Sequence, residues 1–115
     1  MGARGVVKGT VSTIKVGEID SLPQNAKNMF NKYDSSGWKG SVSGQTSGTA
    51  AGSKYLNRDV KLPTTDSAGS SITYKEFDVN NKLPDAGRDA QRFVRGSDGS
   101  VYYTNDHYGT FTQIK

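Results

Sequence analysis

Apolar and polar positions change their period along this chain. The stretch "GVVKGTVSTIKVG" (residues 5–17) alternates β-branched and polar residues around Gly9, which predicts an extended arm or a short strand. In "IDSLPQNAKNMFNKYDSSGW" (19–38) the apolar residues Leu22, Ala26, Met29, Phe30 and Tyr33 fall at helical spacing. Ser21 is the candidate N-cap, Pro23 suits the first turn, and "DSSG" is the stop. Residues 37–52, "GWKGSVSGQTSGTAAG", read as a surface loop with room for one helical turn, anchored to the core by Trp38.

Beyond Gly52 short strand-like runs follow one another: "KYLN", "SITYKEFDV", "QRFVR", "VYYT" and "TFTQI". "SDGS" between the third and fourth is a hairpin signal. A helical first part followed by successive strands predicts an α+β domain, with the helix packed on one face of a roughly five-stranded antiparallel sheet. The expected divisions are an extended arm over 1–20, the helix and Gly/Ser-rich loop over 21–52, and the sheet over 53–115. The sheet's second face is then open to carry a binding cleft.

Length and composition narrow the picture. At 115 residues the chain fits a single domain with one small core, and with 32% hydrophobic but 10% aromatic residues that core depends on a few large rings. A net charge of +4 and a pI near 9.4 suit a polyanionic partner. The absence of cysteine removes disulfide and thiolate chemistry. No apolar run is long enough to span a bilayer or serve as a signal peptide, and "MGARG" reads as a trimmed or engineered start, as of a segment cut from a longer precursor.

Strand alternation sorts the candidate chemistry. In "SITYKEFDV" it sets Phe77 and Val79 on the core side, and Glu76 on the other with Ile72, Tyr74 and Asp78. Arg88 and Arg92, four residues apart, share a side whether the local chain is extended or helical. Two such guanidiniums suit a phosphate or a carboxylate. His107, the only histidine, stands in a polar turn between two strand-like runs and can exchange a proton near neutral pH. Each of these residues alone has a plain structural reading. Together, one carboxylate, two arginines and one imidazole form a kit for general acid–base cleavage of a phosphodiester. One histidine and no cysteine argue against zinc; Leu83 and Pro84 interrupt "DVNNKLPDAGRDA" as a calcium loop; and no phosphate-binding glycine motif opens a helix. No metal or cofactor is expected.

"NRDVKLP", "YKEFDV", the Arg88 and Arg92 pair and "DHYGTFTQIK" together resemble the microbial guanyl-specific ribonucleases, particularly the barnase-like branch, over roughly residues 48–115. The resemblance implies that Glu76 is the general base and His107 the general acid of RNA transphosphorylation, with Arg88 and Arg92 clamping the phosphorane. It also implies a base-recognition loop in "KYLNRD", with Asn57 and Arg58 matching the pattern, and Tyr55 and Tyr108 available to border or stack on the base. Asp59 stands where the family usually has glutamate, which bears on guanine preference. The family's helix lysine aligns with neither Lys27 nor Lys32 in particular. The expected partners are single-stranded RNA and an acidic immunity or inhibitor protein, and a monomer is expected. The setting implied is a toxin domain delivered from a larger bacterial protein into a target cell; the alternatives are a secreted nutritional ribonuclease and a non-catalytic RNA-binding module.

Overall fold

A computed structural model describes residues 14–115. The part of the expected arm that precedes Ile14 lies outside them. Within the described residues the elements are β1 (Ile14–Val16), a 3-10 turn (Ile19–Ser21), α1 (Gln24–Ser35), β2 (Ala51–Tyr55), β3 (Tyr74–Asp78), β4 (Arg92–Gly96), β5 (Val101–Thr104) and β6 (Phe111–Gln113). The strands form one sheet in the order β1-β6-β5-β4-β3-β2. The α+β expectation holds, with six strands in place of five.

The sixth strand is the end of the expected arm: β1 pairs in parallel with β6, Ile14 opposite Phe111. Gly17 continues this contact by donating its N–H to the Gln113 carbonyl at 2.9 Å. A Cβ at Gly17 would lie 2.8 Å from the Thr112 methyl, so the close approach requires glycine. At the other border β2 begins two residues earlier than the expected sheet, at Ala51.

Helix α1 starts after Pro23 rather than after Ser21. Pro23 is extended in ψ (154°), and its carbonyl accepts the first helical N–H, from Lys27 at 2.9 Å. Ser21 is occupied in the preceding turn, donating its hydroxyl to the Glu18 carbonyl at 2.6 Å. The helix ends as the sequence predicts, with Gly37 at φ 78°. Residues 37–50 hold turns and no helical turn.

Ala26, Phe30 and Tyr33 of α1 pack on Phe77 and Phe93 of the sheet, and Trp38 is buried among them as expected. The rings meet edge to face: Tyr33–Phe77 at 4.9 Å, Trp38–Phe77 at 5.1 Å and Phe30–Phe93 at 6.0 Å between centroids. The buried Tyr33 hydroxyl donates to the Asp78 carbonyl and accepts from Gln45, both at 2.6 Å. Met29, on the same helix, is only partly buried.

The second face of the sheet is not open along its length. The chain between β2 and β3 folds across it, and Leu62, Tyr74, Val94, Tyr102 and Phe111 form a second core. Tyr74 lies on the Glu76 side, as alternation requires, but is buried there and donates its hydroxyl to the Pro63 carbonyl at 2.8 Å. This covering confines the cleft to one end of the face. Among the described residues no helix is long and apolar enough to cross a membrane.

Candidate active site

The site begins with two carboxylates on one strand. Glu76 and Asp78 stand two residues apart on β3, so both project to the face opposite Phe77. They differ in surroundings: Asp78 is 2% exposed, whereas Glu76 keeps 15% of its side chain accessible. Asp78 is held from three sides. Its Oδ2 accepts the Ala50 N–H at 2.8 Å and the Arg88 Nε–H at 2.9 Å, while Oδ1 accepts from Arg88 Nη2 at 2.8 Å. Arg92 Nε lies 3.2 Å from the same Oδ1, close enough for ion pairing though not aligned as a hydrogen bond.

This arrangement places both guanidiniums behind Glu76. Arg88 Nη2 donates to Glu76 Oε1 at 3.2 Å, and Arg92 Nη1 lies 3.7 Å from the same oxygen. The hydrogen bonds to Asp78 hold the Arg88 guanidinium above its ordinary pKa despite partial burial. Arg92 is nearly buried and donates to the Asp89 carbonyl at 2.6 Å and to the Tyr108 hydroxyl at 2.9 Å.

His107 and Tyr108 arrive from the turn between β5 and β6. Asp106 builds that turn: its Oδ1 accepts the Thr104 hydroxyl at 2.8 Å and the Thr110 N–H at 2.9 Å, and its Oδ2 accepts the Thr110 hydroxyl at 2.8 Å. Desolvation raises the Asp106 carboxyl, but these hydrogen bonds outweigh it and lower its pKa to about 2. His107 and Tyr108 both take positive φ, 57° and 71°, a conformation that L-residues hold only where neighbours enforce it. One brace is the His107 N–H, which donates to the Ala90 carbonyl at 3.2 Å and ties the turn to the arginine segment. Another is Lys61, whose ammonium donates to the Tyr108 and Gly109 carbonyls at 3.3 and 3.0 Å.

Glu76 and His107 border one cleft of about 510 Å³ with Tyr55, Asn57, Arg58, Asp59 and Tyr108. Every sequence-predicted site residue is thus either on this cleft or, for Arg88 and Arg92, bonded to its carboxylate. Tyr108 stands at the centre. Its ring lies 4.7 Å from Tyr55 and 5.1 Å from His107, the Arg92 guanidinium lies 5.3 Å from its centroid, and its hydroxyl donates to Glu76 Oε1. Burial, followed by the hydrogen bond to Glu76, pushes this phenol up to about 12. Burial likewise raises Tyr55, with the charges of Asp59 and Glu76 adding to it.

The base-loop residues divide into two kinds. Asn57, at φ 54°, uses its side chain internally: Nδ2 donates to the Leu62 carbonyl at 2.9 Å and Oδ1 accepts the Leu62 N–H at 3.1 Å. It shapes the loop. Arg58 and Asp59 are exposed on the cleft and make no side-chain hydrogen bond among the described residues. Asp78, Lys61 and Asp106 are the working residues that sequence reading does not single out. Strand alternation sets Asp78 beside Glu76, but its partners come from other segments. Among the described residues no group of three or more His, Cys, Asp or Glu side chains could hold a metal ion.

Two outcomes follow from this geometry. Replacing Asp78 by Asn leaves two guanidiniums facing a neutral amide, and is expected to lower unfolding free energy by about 3–5 kcal/mol, read from urea denaturation. The Tyr108 phenol, raised from 10.0 to about 12, contributes stability that is complete below pH 10 and lost as pH rises through 12. Tyr108→Phe should therefore flatten the alkaline limb of the stability curve and remove one late-ionising group from the tyrosinate absorbance titration. A Tyr108 phenol ionising near 10.0 would contradict this.

A family model described as "ribonuclease" matches residues 8–115. A ribonuclease of Bacillus intermedius is 36% identical over 83 residues, which is 69% of this chain and 48% of that protein. A ribonuclease of Heyndrickxia coagulans is 35% identical over 83 residues, 69% of this chain and 71% of its own length. The chain thus spans about half the length of the first of these relatives and more of the second. Among solved structures, ribonuclease Sa2 with exo-2′,3′-cyclophosphorotioate is similar with a TM-score of 0.60 at 27% identity, covering 88% of this chain and 96% of that one. Ribonuclease Sa2 with guanosine-2′-cyclophosphate has the same fold, with a TM-score of 0.60 at 24% identity over 89% of this chain and 96% of that one. With the model matching nearly the whole length, the chain belongs to the ribonuclease family.

Proposed function

We propose that this chain is a metal-independent endoribonuclease that cleaves single-stranded RNA by transphosphorylation through a 2′,3′-cyclic phosphate. The observation that carries this reading is the meeting of Glu76 and His107 on one cleft, with Arg88 and Arg92 banked behind the carboxylate. Glu76 takes the proton of the ribose 2′-hydroxyl, and O2′ attacks phosphorus. Arg88 and Arg92 offset the charge that builds on the phosphorane oxygens. His107 gives a proton to the departing 5′-oxygen. In the second half-reaction the two groups exchange roles and water opens the cyclic phosphate. DNA lacks the nucleophile and is not a substrate.

Tyr108 fills the space between Glu76 Oε1 and Arg92 Nη1. A phosphate oxygen that displaced its hydroxyl would meet the guanidinium beside the base, so the phenol marks the place of the scissile group. The free carboxylate of Asp59 suits the N1–H and N2–H donors of guanine, and the Tyr55–Tyr108 pair offers ring faces to a base. These support a preference for cleavage after guanosine. Ribonuclease Sa2 with guanosine-2′-cyclophosphate is consistent with it. A plain RNA-binding module would be weakened by a carboxylate at the phosphate site, whereas base catalysis needs one. The basic cleft rim, with Lys54, Arg58 and Lys61, suits an acidic inhibitor protein, the partner that a toxin nuclease needs in the cell producing it.

Glu76→Gln and His107→Ala are each expected to slow RNA cleavage by about 10²–10⁴-fold with circular dichroism unchanged. Unaltered rates in either variant would refute the assignment of that residue.

A further inference from the structure

The sheet face opposite Glu76 carries a row of cations that the proposed reaction does not use. Lys54 on β2 stands directly opposite Lys75 on β3, and Lys75 stands directly opposite Arg95 on β4. Residues directly opposite project to the same face, so three like charges cross three adjacent strands about 4.8 Å apart. Like charges so placed repel, and a folded chain keeps them at a cost in stability. None of the three is ion-paired among the described residues. Asp34 of α1, whose charge is felt by Arg95, is bonded instead by Lys115 at 2.8 Å and the Trp38 indole N–H at 2.9 Å. Asp98, in the adjoining turn, accepts the Ser100 hydroxyl and N–H at 2.5 and 3.1 Å.

The row ends in a built hollow rather than on a flat surface. Trp38, Lys75, Arg95 and the Gly96–Ser97 turn border an open hollow of about 260 Å³. The Arg95 guanidinium lies 5.7 Å from the Trp38 ring centroid, and its Nη1 is buried without a hydrogen-bond acceptor. The positive neighbours around the hollow specify an anion as its occupant.

Continuity with the cleft identifies that anion. Lys75 is the chain neighbour of Glu76 on the opposite face, and Lys54, on the edge strand β2, also borders the cleft. A strand of RNA leaving the cleft therefore has to pass only over β2 to reach Lys75 and Arg95, with Lys54 along the way. We propose that Lys54, Lys75 and Arg95 form a remote phosphate-binding rail, which holds the backbone of single-stranded RNA beyond the nucleotides at the scissile linkage. The inference rests on RNA being the ligand of the cleft. Edge protection by lysine explains Lys54 alone, since β3 and β4 are interior strands.

The test compares the intact chain with Lys75→Gln/Arg95→Gln, and with Lys75→Gln alone should loss of the Arg95–Trp38 contact impair folding. Binding of a long, fluorescent 2′-O-methyl RNA, which lacks the nucleophile, is followed by anisotropy across a salt series. The double variant should bind about tenfold more weakly at low salt, and its log K against log[salt] slope should fall by about 1.4, at roughly 0.7 per lost phosphate contact. Cleavage of a dinucleoside monophosphate should be unchanged while KM on a long RNA rises. An unchanged salt slope in both variants overturns the rail. So does a variant that merely self-associates, or one that loses only the binding of an acidic protein. Failure of the intact chain to cut any RNA overturns the nuclease reading instead, and leaves the anisotropy measurement to judge the rail.

Discussion

The buried carboxylate of Asp78 makes the rest of the site arrangement affordable. A buried guanidinium held beside a second one needs a compensating charge, and Arg92 is only 3% exposed. Asp78 supplies that charge from the strand that also carries Glu76. It is fixed in turn by the Ala50 N–H, from the segment leading into β2, while its carbonyl accepts the Tyr33 hydroxyl from α1. The strand of Glu76, the arginines and the helix-side core therefore meet at one residue. A shift of α1 on the sheet would be felt at the arginines through Asp78.

The other half of the site depends on turn chemistry. His107 is set in a left-handed conformation by neighbours on both sides: Asp106 closes the turn, Ala90 accepts the His107 N–H, and Lys61 reaches across from the base loop. Lys61 ties the loop that carries Arg58 and Asp59 to the turn that carries the imidazole, joining two sides of the cleft. Beneath them the second core, centred on Leu62, Tyr74 and Phe111, stops the loop from lifting off the sheet.

Regular periods made much of this readable from sequence. Helix α1 announces itself by spacing that buries Ala26, Phe30 and Tyr33, and β3 by an alternation that separates Phe77 from Glu76. The Arg88 and Arg92 pair is legible because a separation of four keeps them together in either conformation. The parallel pairing of β1 with β6 is not, since three residues carry too little pattern to name a partner at the far end of the chain. The folding of residues 56–73 over the second face is equally hidden: a polar, turn-rich segment contributes a single fully buried side chain, Leu62. The part played by Asp78 is hidden for a related reason. Its side is given by alternation, but its burial comes from Arg92, directly opposite it on β4, and from Arg88, ten residues away in the irregular segment before β4.

The claim that these parts form a transphosphorylating centre is tested most directly by the chemistry of the ends it leaves. Short single-stranded RNAs incubated with the chain in EDTA, and analysed by mass, should yield fragments with a terminal 2′,3′-cyclic phosphate, most often on guanosine. Fragments carrying only 5′-phosphate and 3′-hydroxyl ends, or RNA left intact, would contradict the account.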